Sequence, residues 1–176
     1  MKAPNPPEEK REGGEFVNLS INQKNTMFYL FNRKAAERIL GCEVLKIEVW
    51  SIAILVFPKG KRPKFVSKKL FKRDFVEVRK TRAQTVELSK LPRGWAAKSS
   101  RDPNQHHYIT DQGDRLECSC KDWRLQRDEF KISQPCCKHQ YAVLFSLGFA
   151  DYQQWKIKRL AELDALAEER RTPLCR

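Results

Sequence analysis

The sequence predicts an α+β chain, a small antiparallel sheet with helices, ending in a compact metal-binding module. Three observations lead there. Residues 43–57 turn to Val, Ile, Leu, Trp and Phe, the residue types of strands. Phe71, Phe75 and Val78 recur at i, i+4 and i+7, the spacing of a helix with one apolar face. Cys118-Ser119-Cys120 is followed, after sixteen residues, by Cys137-Lys138-His139, two short pairs of soft or borderline metal ligands.

Composition narrows the class. With 176 residues and 40% hydrophobic content, the chain can bury one core and a small metal module. Met1 to Gly14 is rich in Pro, Glu and Lys and has no apolar stretch, so no signal peptide is expected. The longest apolar run, Ile52 to Phe57, is too short to span a bilayer. The expected location is cytoplasmic, or nuclear in a eukaryote, where thiols stay reduced and the six cysteines suit metal better than disulfides. The formal net charge of +13 points to a polyanionic partner, most often nucleic acid.

Taken in order, residues 1–15 hold four Glu, three Pro and two Gly and read as a disordered leader. Met27 to Phe31 form an apolar cluster. Asn32 then caps a short helix through Ile39 and Leu40, with Gly41 as its left-handed stop. Val44 to Val49 alternate as a half-buried strand, and Ile52 to Phe57 read as a strand buried on both faces. Pro58-Lys59-Gly60-Lys61-Arg62-Pro63 is a basic turn, and Phe65 and Val66 a returning strand. Ser67 caps a helix over Lys68 to Arg82, which presents Lys69, Lys72, Arg73 and Lys80 away from its apolar face.

Further on, Thr85 to Leu88 and Trp95 to Lys98 are expected strands on either side of the turn Leu91 to Gly94, and Ser99 to Gln105 is a polar loop. His107 to Thr110 and Arg115 to Cys118 form a hairpin through Asp111-Gln112-Gly113-Asp114. Lys121 to Gln134 is a loop with a helical turn near Trp123 to Arg127. A helix follows Cys137 and ends at Gly148, placing His139 in its first turn. Asp151 caps a last helix bearing Trp155, Leu160, Leu163 and Leu166, which frays over Glu168 to Arg171.

Three thiolates and an imidazole, Cys118, Cys120, Cys137 and His139, close a tetrahedron around Zn²⁺ and leave no position open for substrate water. The start of a helix also favours the deprotonated form of Cys137. This arrangement resembles the SWIM-type zinc finger, with its Cys-x-Cys, variable gap and Cys-x-His. The resemblance extends to the upstream Trp95 and Tyr108, the Asp122-Trp123 pair and the Cys-Lys-His-Gln helix start, and covers roughly Gly94 to Phe149. It implies a ββα zinc-finger module associated with DNA binding and with protein–protein contacts. The extra cysteine in Pro135-Cys136-Cys137 departs from the pattern: either Cys136 or Cys137 could be the third ligand, and the family spacing favours Cys137. The expected organisation is a leader over 1–15, a basic α+β region over 16–90, the SWIM-type module over 91–149, and a C-terminal helix and tail over 150–176.

Enzymatic readings are weaker. The Pro-Cys-x-x-His echo of zinc deaminases lacks its upstream His-x-Glu. Cys137 and His139 as a nucleophile pair would face apart on a helix. His106 and His107 are expected to be satisfied or exposed, and Trp95, Trp123 and Trp155 to be core. Lys59 through Arg82 contain eleven basic and two acidic residues, most of the excess charge. Lys61, Arg62, Lys64, Lys69, Lys72 and Arg73 are therefore the candidate phosphate contacts. The expected function is non-enzymatic binding of nucleic acid, DNA rather than RNA, around a structural zinc site. The alternative is an adaptor whose zinc module binds a protein partner. Neither a membrane nor a small-molecule substrate is expected.

Overall fold

A computed structural model describes residues 29–100, 102 and 104–171. The expected leader, Met27, Phe28, Cys175 and the end of the tail lie outside these residues. The described chain is α+β, with two small antiparallel sheets and five helices.

The first half builds one core. Helix α1 (Arg33–Leu40) begins where the Asn32 side chain accepts the Ala35 N–H at 2.9 Å, and ends at Gly41 with φ 64°. Strands β1 (Val44–Val49), β2 (Ala53–Pro58) and β3 (Lys64–Ser67) pair in that order. Val44 opposes Pro58 and Lys46 opposes Phe57, so Leu45 is an inserted bulge residue. The bulge resets the alternation: Val44, Ile47 and Val49 turn inward, and Leu45 is exposed.

Strand β2 corrects the expectation of burial on both faces. Ile54 and Val56 are fully buried, whereas Ala53, Leu55 and Phe57 on the other face are only half covered and Ile52 is exposed. Nothing among the described residues packs a second layer there. The run looked doubly buried because its outer face is apolar too.

Helix α2 (Lys68–Ala83) starts at Ser67, whose side chain accepts the Leu70 N–H. It serves two cores in turn. Phe71, in its first turn, is fully buried with Phe31, Ala35, Ile54 and Val66, while Val76 and Ala83 pack into the second core.

That second core lies against β4 (Leu88–Leu91), β5 (Gly94–Lys98), β6 (His106–Asp111) and β7 (Leu116–Cys118), a four-stranded antiparallel meander. β4 lies three residues beyond the expected Thr85 to Leu88, because α2 runs to Ala83 and its exit turn uses Gln84 to Val86. Gly94 has φ 137°, and a Cβ there would come within 2.1 Å of the Ile109 carbonyl oxygen, so the β5–β6 approach requires glycine.

Helix α3 (Lys121–Arg124) leads into a π-helical turn, Leu125–Glu129, closed by Phe130 N–H to Leu125 C=O at 3.0 Å. Helix α4 (Lys138–Ser146) is the centre of the second core. Helix α5 (Tyr152–Arg171) opens with the Asp151 side chain accepting the Gln154 N–H, as expected. It continues through Arg171 instead of fraying at Glu168. Trp95, Trp123 and Trp155 are all core. No helix among the described residues is long and apolar enough to cross a membrane.

Candidate metal centre and basic surface

The β6–β7 hairpin and the start of α4 bring four ligand-type side chains together. Cys118 ends β7. Ser119 turns the chain by donating its N–H to the Tyr108 carbonyl, while its Oγ accepts the Tyr108 N–H, both at 3.0 Å. Cys120 then caps α3, its Sγ accepting the Trp123 N–H at 3.4 Å. Cys137 is the cap of α4 and His139 lies in the first turn.

The Sγ atoms of Cys118, Cys120 and Cys137 and a ring nitrogen of His139 all lie within 4.8 Å of one another, and all four residues are buried. His139 Nδ1 stands 3.8 Å from Cys118 Sγ and 3.9 Å from Cys137 Sγ. A tetrahedron with metal–sulfur bonds of about 2.3 Å has edges of about 3.8 Å, so the spacing fits zinc. Cys136 is not in the cluster, although it too is buried.

The expectation that Cys137 and His139 face apart does not hold. Cys137 has extended backbone, φ −91° and ψ 171°, so the pair straddles the helix start and converges. Proton affinities suit a cation as well. The hydrogen bond to Cys120 pushes the Cys118 thiol up to about 12, and thiol donors from Cys118 and Cys137 hold Cys120 far below the ordinary range. Burial raises Cys137 well above it, and the neighbouring Cys118 and Cys120 raise it further. A divalent cation bound among them would deprotonate all three thiols outright.

The ligands are braced by groups the sequence reading did not single out. Gln140, fully buried, accepts the Cys137 N–H at 3.0 Å and donates to the Leu116 carbonyl at 2.6 Å, tying α4 to β7. Gln126, also buried, accepts the Cys136 N–H at 3.1 Å and donates to the Cys136 carbonyl at 3.4 Å. His107 stacks on the His139 ring with centroids 4.6 Å apart. Burial and then the neighbouring His139 lower the His107 pKa, which favours a neutral stacking partner. His139 Nε2 is buried with no hydrogen-bond partner among the described residues.

Asp122, next to Trp123, anchors the finger to the first half of the chain. The Arg79 guanidinium grips it through Nε and Nη2 at 3.0 and 2.7 Å, and donates from Nη2 to the Tyr29 hydroxyl at 2.8 Å. The Tyr29 hydroxyl in turn donates to Asp122. Arg79 also lies 3.4 Å over the Phe75 ring. Burial works against its charge, but the Asp122 carboxylate outweighs it and raises the Arg79 pKa. Arg79 was legible only as one more basic residue, although its place four residues after Phe75 put it on the inward row.

The six candidate phosphate contacts are all exposed and lack carboxylate partners among the described residues, unlike Lys59, which pairs with Glu43 at 2.7 Å. They fall in two places. Lys61, Arg62 and Lys64 border the β2–β3 turn, and Lys69, Lys72 and Arg73 lie on the first half of α2. Strand β3, four residues or about 13 Å long, separates them. On α2 the row through Lys69, Lys72 and Arg73 continues at helical spacing to Val76, Lys80 and Ala83, of which Val76 and Ala83 pack on the finger.

Residues 108–148 match the family model of the SWIM zinc finger. No curated protein and no solved structure matches the chain. The chain carries a SWIM zinc finger, and Cys118, Cys120, Cys137 and His139 form a site able to bind Zn²⁺.

Proposed function

We propose that the protein is a non-enzymatic nucleic-acid-binding protein, with DNA the favoured polymer, whose zinc has a structural role. The observation that carries this reading is the row of unpaired cations Lys69, Lys72 and Arg73, which runs along α2 toward the finger packed on the same helix. Unpaired, exposed Lys and Arg cost little to bring to phosphate and release counterions when they arrive. The zinc supplies closure: four protein ligands leave no position for an activated water, so its contribution is to fix the hairpin against α4. Asp122 of α3 then docks the finger on α2 through Arg79, which sets the basic row and the finger side by side.

The second reading is a protein adaptor, favoured by Ile157, Leu160 and Leu166, which stand exposed on α5. Retention of the full chain on immobilised DNA at moderate salt separates the two. The nucleic-acid reading expects retention that is lost when Lys69, Lys72 and Arg73 are all changed to Glu, with zinc content unchanged. No retention of the parent chain would favour the adaptor.

A further inference from the structure

We infer that the outer face of the β1–β2–β3 sheet is a stacking platform for single-stranded DNA, centred on Trp50 and Phe65. The inference rests on the nucleic-acid reading above and names the form of polymer bound. The fold leaves one face of this sheet open. Helices α1 and α2 cover only the side bearing Val44, Ile54, Val56 and Val66. On the other side Phe65 is 61% exposed and Trp50 is 47% exposed. Trp50 reaches across the middle strand to Phe65, edge to face, with ring centroids 5.6 Å apart. Small Ala53 of that middle strand, half covered on the same outer face, allows the crossing. Exposed aromatics braced on a sheet offer flat, water-accessible π surfaces to bases, and base–aromatic stacking tolerates any sequence.

Charge selects the occupant. The face's carboxylate, Glu48, is paired with Lys46 at 2.6 Å, and Glu43 is paired with Lys59. Lys61 and Arg62 remain unpaired in the turn at one end of the sheet, while Lys64, opposite Val56, shares the helix-side face. At the other end Lys68 is occupied on the helix side, where it donates to the Ser51 carbonyl at 2.8 Å and lies over the buried Phe31 ring. An open aromatic face with free cations in the turn at one end suits a polyanion that exposes its bases. Duplex DNA keeps its base faces stacked inside and cannot use the rings. A second copy of this chain, at net charge +13, would bring like charge to the same face.

The test uses the full chain and an oligothymidylate of about 16 nucleotides, the upper site size for one single-strand module, beside a blunt duplex of equal length. Trp95, Trp123 and Trp155 are buried, so quenching of tryptophan emission on titration reports Trp50. The expected result is tighter binding of the single strand, with quenching. Trp50→Ala should lower single-strand affinity about 5- to 150-fold, Trp50→Tyr should retain it within a few-fold, and duplex affinity should not change. Unchanged zinc content and an unchanged circular dichroism spectrum and urea midpoint in each variant exclude unfolding of either core. Single-strand binding without quenching, or parent-like binding by Trp50→Ala, would overturn the platform. If the Lys69, Lys72 and Arg73 to Glu variant had lost binding in that case, the phosphate reading would stand. Absence of binding to either form would overturn both. A dimer of the parent that Trp50→Ala converts to monomer would assign the face to a second copy and also overturn the platform.

Discussion

Gln140 sits fully buried where β7 meets α4, and its amide satisfies one backbone group on each. Removing it leaves the Cys137 N–H and the Leu116 C=O without partners, each costing about 1–3 kcal/mol. Groups that orient metal ligands in this way typically govern about 10- to 100-fold in metal affinity. Gln140→Ala should therefore weaken zinc binding by that order in competition with a chromophoric chelator; parent-like affinity would contradict the bracing role. Cys136 and Cys137 give a sharper contrast. Cys136→Ala should keep a full zinc per chain by elemental analysis, whereas Cys137→Ala should lose it. The four ligands could be read from the sequence because Cys and His at short spacing have few other uses in a reduced protein. Gln126 and Gln140 could not be read in the same way. A buried amide is written with the same letter as an exposed one, and only the backbone around it shows which it is. Gly94 was legible as a turn residue, but its real constraint, the approach of the Ile109 carbonyl, depends on a partner strand fifteen residues away.

Helix α2 joins the two cores, and its Arg79 makes the join specific. Because Asp122 is partly exposed, each single change should cost less than the roughly 3–5 kcal/mol of a fully buried pair. A double-mutant cycle of Arg79→Met and Asp122→Asn should return a coupling of about 0.5–3 kcal/mol in urea unfolding. Additive effects would mean that the finger docks through apolar contact alone. The caps at Asn32, Ser67 and Asp151 were legible because capping is a local exchange between one side chain and the backbone three residues on. The finer course of the strands was not. The bulge at Leu45 inverts the alternation that a regular strand would have, and the outer face of β2 is apolar without being covered. Of the expected loop over residues 121–134, Lys121–Glu129 form α3 and a π-helical turn, with the buried Gln126 side chain tied to Cys136, and residues 130–134 are irregular. Such a turn has no simple sequence period.

At the scale of the molecule, the second core is built around the metal ligands. Trp95, Trp123 and Trp155 belong to the same buried cluster as Cys118, Cys120 and Cys137. Structural zinc contributes folding free energy on the order of 10 kcal/mol. Chelation should therefore expose these tryptophans and shift their emission to the red, and restored zinc should reverse the shift. An emission spectrum unmoved by complete zinc removal would show that the core holds without the metal. Contact between the basic row on α2 and phosphates should show in the salt dependence of DNA affinity. On a log–log plot each contact contributes roughly −0.9 on duplex and −0.7 on single-stranded DNA. Changing Lys69, Lys72 and Arg73 to Ala should then flatten the slope by roughly 2–3 units. A slope equal to that of the parent chain would contradict such contact.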